Sequence, residues 1–187
     1  VAVDIGTSKV VCMVAQINQA EQSLEIVGYG MKPSKGMRKG VVVNIDQMQE
    51  AIQSAVAEAE LMADCRIHSA YIGIAGSHIG GRNSQAVVRN PLGMAGVRLE
   101  GHIHLVTCSA NAAQNLEKCV RGAGLAIDDI VLEQVASSHG VLTDDEKDLG
   151  VCLVDIGGGT TDIAVFVRGA IRHTAVIPIA GDQVTND

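Results

Sequence analysis

The chain has 187 residues, with 14 Lys and Arg against 21 Asp and Glu, and its formal charge of −7 argues against the positive field that a dedicated nucleic-acid binder turns toward phosphates. At 47% apolar and 19% charged it lies far from the composition of disordered chains, and its length suits one domain or two small ones. No apolar stretch reaches the ~18 uncharged residues of a membrane span and no basic-then-apolar leader opens the chain, so a soluble, cytoplasmic protein is expected.

In chain order, Val1 to Ile5 and Val10 to Ile17 are apolar runs joined by Gly6-Thr7-Ser8-Lys9, and Leu24 to Gly30 reads as a third strand after polar turn residues 18 to 23. Residues 31 to 40 hold Pro33, Gly36 and Gly40 among four basic residues and read as a loop. Asp46 is placed to cap a helix, with Gln49 completing a capping box, and Met48, Ala51, Ile52, Ala55, Val56, Ala59 and Met62 recur at helical spacing. Ala70 to Ala75 is a buried strand ending at Gly76. His102 to Thr107 alternates like a strand, and Ala110 to Val120 is helical. A short strand at Ile130 to Leu132 leads into a helix from about Gln134 to Leu142. Thr143 with Glu146 gives a second capping signal, and Gly150 to Val154 and Ile163 to Val167 are again apolar. Arg82 to Gly101 fits neither neighbour and reads as inserted or abbreviated material. Strands joined through helices, with hairpins at both glycine loops, predict an α/β fold whose mixed sheet carries helices on its faces.

Composition sharpens this picture. Glycine, at 21 residues against only 3 prolines, is about 11% of the chain where ~7% is usual, which points to tight turns and close backbone approaches. The 5 cysteines include no CxxC pair, so a disulfide framework or Cys-rich zinc site is not expected.

The strongest feature is an internal repeat. Val3-Asp4-Ile5-Gly6-Thr7 before an apolar strand recurs as Val154-Asp155-Ile156-Gly157-Gly158-Gly159-Thr160-Thr161-Asp162 before another. Such loops present successive backbone N–H groups to phosphate oxygens, hydroxyls add donors, and an Asp at a strand end can hold Mg²⁺ directly or through waters. Both loops open strands, unlike a Rossmann turn or a P-loop, so no helix dipole contributes. The plainer reading is two glycine-rich turns that only connect strands, but three consecutive glycines exceed what a hairpin requires.

These two motifs resemble the phosphate loops of the actin, sugar-kinase and heat-shock-70 ATPase superfamily. Pro33-Ser34-Lys35-Gly36-Met37, Ala59 to Cys65, Asn90-Pro91-Leu92-Gly93-Met94, His104 to Cys108 and Arg172-His173-Thr174 resemble the FtsA family of bacterial cell-division proteins within it. The resemblance implies an actin-like (ribonuclease-H-like) mixed sheet flanked by helices, as a fragment of a two-lobed ATPase with an abbreviated inserted subdomain. It divides the chain into residues 1–81 and 102–167 as parts of one actin-like subdomain, 82–101 as the remnant of the inserted subdomain with a chain gap expected near residues 85–86, and 168–187 as the start of a truncated second lobe.

The same resemblance implies ATP and Mg²⁺ as cofactors. Gly6, Thr7, Ser8, Lys9, Gly157, Gly158, Gly159, Thr160 and Thr161 would bind phosphate, Asp4 and Asp155 would serve the metal, and Asp162 would support the second turn from behind. Glu133 and Asp155 would be the catalytic carboxylates, with Glu133 ionised and orienting a water toward the γ-phosphate. Glu133 as a helix cap, and Lys9 as a solvent-facing residue, are the alternatives. Implied partners are the division-ring protein FtsZ and the membrane, through a lobe and an amphipathic helix that this chain lacks. Other divisome proteins through the inserted subdomain and further copies in filaments complete the set, with no nucleic acid. The implied location is the cytoplasmic face of the inner membrane at the division site, and the implied ATPase activity is weak or absent. The alternatives are a metabolite kinase of the superfamily and a nucleotide-free structural module. His102, His104 and Cys108 lack the spacing of a complete zinc site, no GxSxG elbow is present, and the basic loop reads as solvated surface. The functional expectation reduces to one geometric statement, that Asp4 and Asp155 face a shared crevice.

Overall fold

The computed structural model describes residues 1–18, 23–88 and 99–185. Its elements are β1 (Ala2–Ile5), β2 (Lys9–Asn18), β3 (Ser23–Pro33), β4 (Met37–Arg38), β5 (Val41–Val42), α1 (Ile45–Ala63), β6 (Ser69–Ile74), β7 (Gly80–Val88), β8 (Leu99–Thr107), α2 (Ala110–Gly122), β9 (Ala126–Leu132), α3 (Glu133–Val141), α4 (Asp144–Leu149), β10 (Val151–Ile156), β11 (Thr161–Val167), β12 (Ala170–Ile177) and α5 (Gly181–Thr185).

Two sheets carry the architecture. The larger runs β3-β2-β1-β6-β9, antiparallel through the β3-β2-β1 meander and parallel across β1, β6 and β9. The smaller is the antiparallel β10-β11-β12. Alternation along β1 buries Val3 and Ile5 in the core and leaves Asp4 on the opposite face. Val10, Cys12 and Val14 of β2 join that core, with Ile72 and Ile74 of β6, against Met48, Ile52, Val56 and Ala59 of α1 and Leu116, Cys119 and Val120 of α2. Small residues set the helix-to-sheet distance. A Cβ on Gly30 of β3 would collide with Ala55 O and stand 2.9 Å from Ala59 N, so the α1 backbone lies directly on the strand there.

Helix α1 begins earlier than the sequence suggested. Its cap is Asn44, whose side chain accepts from Gln47 N at 3.1 Å, while Asp46 sits in the first turn, where a negative charge suits the exposed N–H groups. The signal at Thr143 is a complete capping box, with the Thr143 hydroxyl accepting from Glu146 N and Glu146 Oε2 accepting from Thr143 N.

The stretch 31 to 40 is not only loop. β3 continues to Pro33, and Met37–Arg38 pairs with Val41–Val42 in a small hairpin. Arg82 to Gly101, read as material fitting neither neighbour, contributes to a long antiparallel pair, β7 with β8. The pairing passes Gln85↔His102 and Ala86↔Gly101 without a register shift. Residues 89–98, which include Asn90 to Met94, lie outside the described residues, as do 19–22 of the turn expected at 18 to 23. β12, which the sequence reading left unassigned, pairs with β11 along its length, so a boundary at 167/168 falls inside a sheet. Among the described residues no helix is long and apolar enough to cross a membrane.

Two substitutions test this packing. Ile52→Ala should cost about 3 kcal/mol, the usual size of a buried large-to-small change. Gly30→Val should destabilise by a similar ~2–3 kcal/mol through overpacking against α1. Urea unfolding reads both, and a loss under ~0.5 kcal/mol at Gly30 would contradict the close approach.

Candidate functional site

The sequence repeat is also a structural one. Gly6 N–H donates to Lys9 O at 3.0 Å and Gly157 N–H donates to Thr160 O at 2.9 Å. A Cβ would stand 3.1 Å from the partner carbonyl in both cases. Each turn follows a strand ending in Asp-Ile, and Asp4 and Asp155 occupy matching places, opposite Val11 and Asp162 on the returning strand.

The two turns press against each other. A Cβ on Gly158 would collide with the Ser8 side chain, and one on Gly159 would lie 2.7 Å from Thr7 Cγ2. Glycine is therefore required at 158 and 159 for the loops to meet, a reason the sequence reading had assigned to a ligand. Beside this contact lies a cavity of about 410 Å³ lined by Asp4, Gly6 to Lys9, Glu133, Asp155, Gly157 to Thr160 and Asp162, with Met37, Gly40 and Ala75 at its wall. The expected shared crevice is present, and Asp4 and Asp155 both line it.

Helix α3 arms the crevice from one side. Glu133 is its first residue, in the first turn, and the N-cap Leu132 makes no side-chain cap hydrogen bond. Its side chain fits over Gly73 of β6, where a Cβ would come within 3.1 Å of Glu133 Oε1. Ser137, one turn on, donates to Asp155 Oδ2 at 2.9 Å. Gln134 is fully buried and donates through Nε2 to Asp162 Oδ1 at 2.7 Å, while Thr160 Oγ1 donates to Asp162 Oδ2 at 3.2 Å. One turn of helix thus grips both members of the cross-strand pair Asp155–Asp162. The Gln134 Oε1 atom is buried without a partner.

Crowding of carboxyls dominates the electrostatics. Burial raises the Glu133 pKa well above the usual carboxylate range, and Asp4, Asp162 and Asp155 push it further. This corrects the expectation of an ordinary ionised Glu133, because that expectation counted neither the desolvation nor three neighbouring acids. Asp4, which water reaches from the crevice although protein surrounds most of it, is also raised by burial, less so because Lys9 lowers it, while Asp155 raises it. Asp162 is pushed up to about 6 by burial and by Asp155, against the lowering effect of the Thr160 hydrogen bond.

Such a cluster fits a magnesium polyphosphate better than a bare ion. Among the described residues no three His, Cys, Asp or Glu side chains are grouped to hold a metal by themselves. Mg²⁺ usually takes one or two carboxylates and completes its shell with phosphates and waters, a set that Asp4, Asp155 and the glycine turns can provide.

Other expected residues lie elsewhere. Thr161 donates to Ile179 O at 2.7 Å and does not line the cavity, because its place in the β11 ladder turns it outward. His104 lies between Asn83 Oδ1 at 2.6 Å and Thr174 Oγ1 at 3.0 Å, tying β8 to β12. Lys32 of the basic loop pairs with Glu58 at 3.2 Å. Sequence reasoning missed Gln134, Ser137 and two contacts of the first turn. Gly40 N–H donates to Thr7 Oγ1 at 3.2 Å, and Ser8 Oγ donates to Asp182 at 3.1 Å. Ser137 was findable, four residues after Glu133 on one helix face. Gly40 and Asp182 carry no local signal.

The raised pKa values make stability depend on pH. A carboxyl that holds its proton more tightly when folded contributes its full stability below the unfolded value, and the contribution is lost as pH rises through the folded one. Glu133→Gln, a neutral isostere, should raise the urea midpoint of the nucleotide-free protein at pH 7.5 and barely change it at pH 4. An equal shift at both pH values would contradict the raised Glu133.

Comparisons with known proteins agree with this geometry. The family model described as Cell division protein FtsA matches residues 1–143 and 152–187. The chain is 53% identical to Cell division protein FtsA of Pseudomonas aeruginosa over 233 aligned residues, covering 100% of this chain and 56% of the relative. It is 37% identical to that of Escherichia coli K12, with 100% and 55% covered. The chain thus spans about half the length of these relatives, and alignments longer than the chain mean that they carry residues without a counterpart here. Among solved structures it resembles the PilM–PilN type IV pilus biogenesis complex, with TM-score 0.81, 15% identity, 99% of this chain and 63% of that one. It also resembles MreB5 of Spiroplasma citri bound to ADP, with TM-score 0.56, 18% identity, 99% of this chain and 53% of that one. These structural likenesses show an actin-like ATPase fold. The chain belongs to the FtsA family of cell-division proteins.

Proposed function

We propose that the crevice binds ATP with Mg²⁺, as part of a cell-division protein that assembles with its own copies and connects FtsZ to the membrane. The observation that carries this reading is the pair of matching Asp-Ile-Gly turns, lining one cavity with their carboxylates. In it, the turn amides and the hydroxyls of Thr7 and Ser8 would donate to the polyphosphate oxygens, Lys9 lines the cavity, and Asp4 and Asp155 would hold the metal. Bound magnesium supplies charge neutralisation on the phosphate oxygens.

In this reading Glu133 orients a water and takes up its proton. A carboxyl held above its usual range by burial is more basic once ionised than an ordinary one. Turnover is weak in this reading; among the described residues lining the crevice, Lys9 is the basic side chain. FtsZ, the membrane and most of the filament contacts fall to the part of the relatives that this chain does not span, at the cytoplasmic face of the inner membrane where division takes place.

Calorimetry on the full-length protein tests the nucleotide site. Asp155→Ala should weaken ATP binding in Mg²⁺ by about ten-fold or more, the scale seen when a metal's ligand environment is lost, with a smaller effect in EDTA. Gly158→Val should abolish binding, because a side chain there fills the space now taken by Ser8. Normal ATP binding by both variants would overturn the assignment.

A further inference from the structure

Ser8 belongs to the first turn, yet its hydroxyl is committed to the second. Ser8 Oγ lies 3.1 Å from Asp182 Oδ1 and 3.3 Å from Asp182 Oδ2 and donates to that carboxylate. Asp182 is itself fixed to the second turn by the backbone, since Gly181 N–H donates to Gly157 O at 3.0 Å and Asp182 N–H donates to Gly158 O at 2.9 Å. The carboxylate therefore rides on one jaw and holds a side chain of the other.

The same backbone bonds orient the amides. In a trans peptide the N–H points opposite the C=O of the same unit. With Gly157 O and Gly158 O turned toward residues 181 and 182, the N–H groups of Gly158 and Gly159 face away from that segment. The second jaw thus presents amide donors on one side and the Asp182 carboxylate on another, with Ser8 between the turns.

A serine hydroxyl has one proton to donate. It cannot serve Asp182 and a phosphate oxygen at once, and a carboxylate beside the turn repels an incoming polyphosphate. We propose that Asp182 is a positioning residue of the crevice, which latches the two turns together through Ser8 and which a polyphosphate must displace in order to bind. The latch sets both the resting closure of the jaws and the affinity of the site. This inference rests on the polyphosphate reading of the crevice for its affinity part, whereas the latch itself does not require it.

The full-length protein tests both parts. Asp182→Ala should bind ATP in Mg²⁺ about five-fold more tightly, a gain matching the net value of one hydrogen bond to a charged group partly offset by solvent exposure. Without nucleotide, the hydrogen-bonded turn amides of Gly6 and Gly157 should exchange about ten-fold faster in that variant. Asp182→Asn keeps an acceptor for Ser8 but loses the charge. It should retain most of the amide protection and still gain affinity, with the gain shrinking as salt rises. Unchanged or weaker ATP binding by Asp182→Ala overturns the affinity role, and unchanged exchange overturns the latch. If the wild-type protein binds no ATP, the polyphosphate reading falls separately, and the exchange data alone decide the latch.

Discussion

The direct contact between two glycine turns is the constraint on which the site depends. Ser8 and Thr7 occupy the volume that Cβ atoms at positions 158 and 159 would take, so the β1–β2 and β10–β11 hairpins meet without a spacer. Everything chemical lines the cavity beside that contact. Asp4 reaches it because the pleat of β1 sends Val3 and Ile5 into the core and the residue between them to the other face. Asp155 reaches it because Ser137 and the α3 helix hold it there.

Four acidic side chains gathered at one place carry a cost that the folded chain relieves only in part. Lys9 is the cation that acts on Asp4, and the remaining strain is expressed as raised proton affinity at Glu133 and Asp162. Clustered carboxyls with raised proton affinity lining one cavity mark it as a candidate site. Helix α3 is central to it. It continues directly from β9 of the larger sheet and donates through Gln134 and Ser137 to β10 and β11 of the smaller one, so the relative placement of the sheets and of the carboxyls is fixed by the same turn of helix.

The connecting segments show a second economy. The hairpin at Met37 to Val42 lies at the wall of the crevice, and Gly40 donates to the Thr7 hydroxyl. The β7–β8 pair is tied to β12 through His104 and Thr174. His104 stands between the Asn83 amide oxygen and the Thr174 hydroxyl, which engage both of its ring nitrogens.

Much of this was legible in the residues themselves. The strands flanking both turns, the long helix α1 and the duplication of the Asp-Ile-Gly motif follow from local periodicity and turn chemistry, which depend only on neighbours in sequence. The cap of α1 was misplaced by two residues because Asp46 and Asn44 both offer a capping oxygen, and only the backbone angles of Asn44 select it. The sequence by itself determined most of the strands and helices and the presence of two matching Asp-Ile-Gly turns. Tertiary structure decided that the turns touch, that Glu133 shares its surroundings with three acids, and that Gln134, Ser137, Gly40 and Asp182 support the crevice. Those outcomes depend on distances between segments up to 174 positions apart, and no pattern within a single element encodes them.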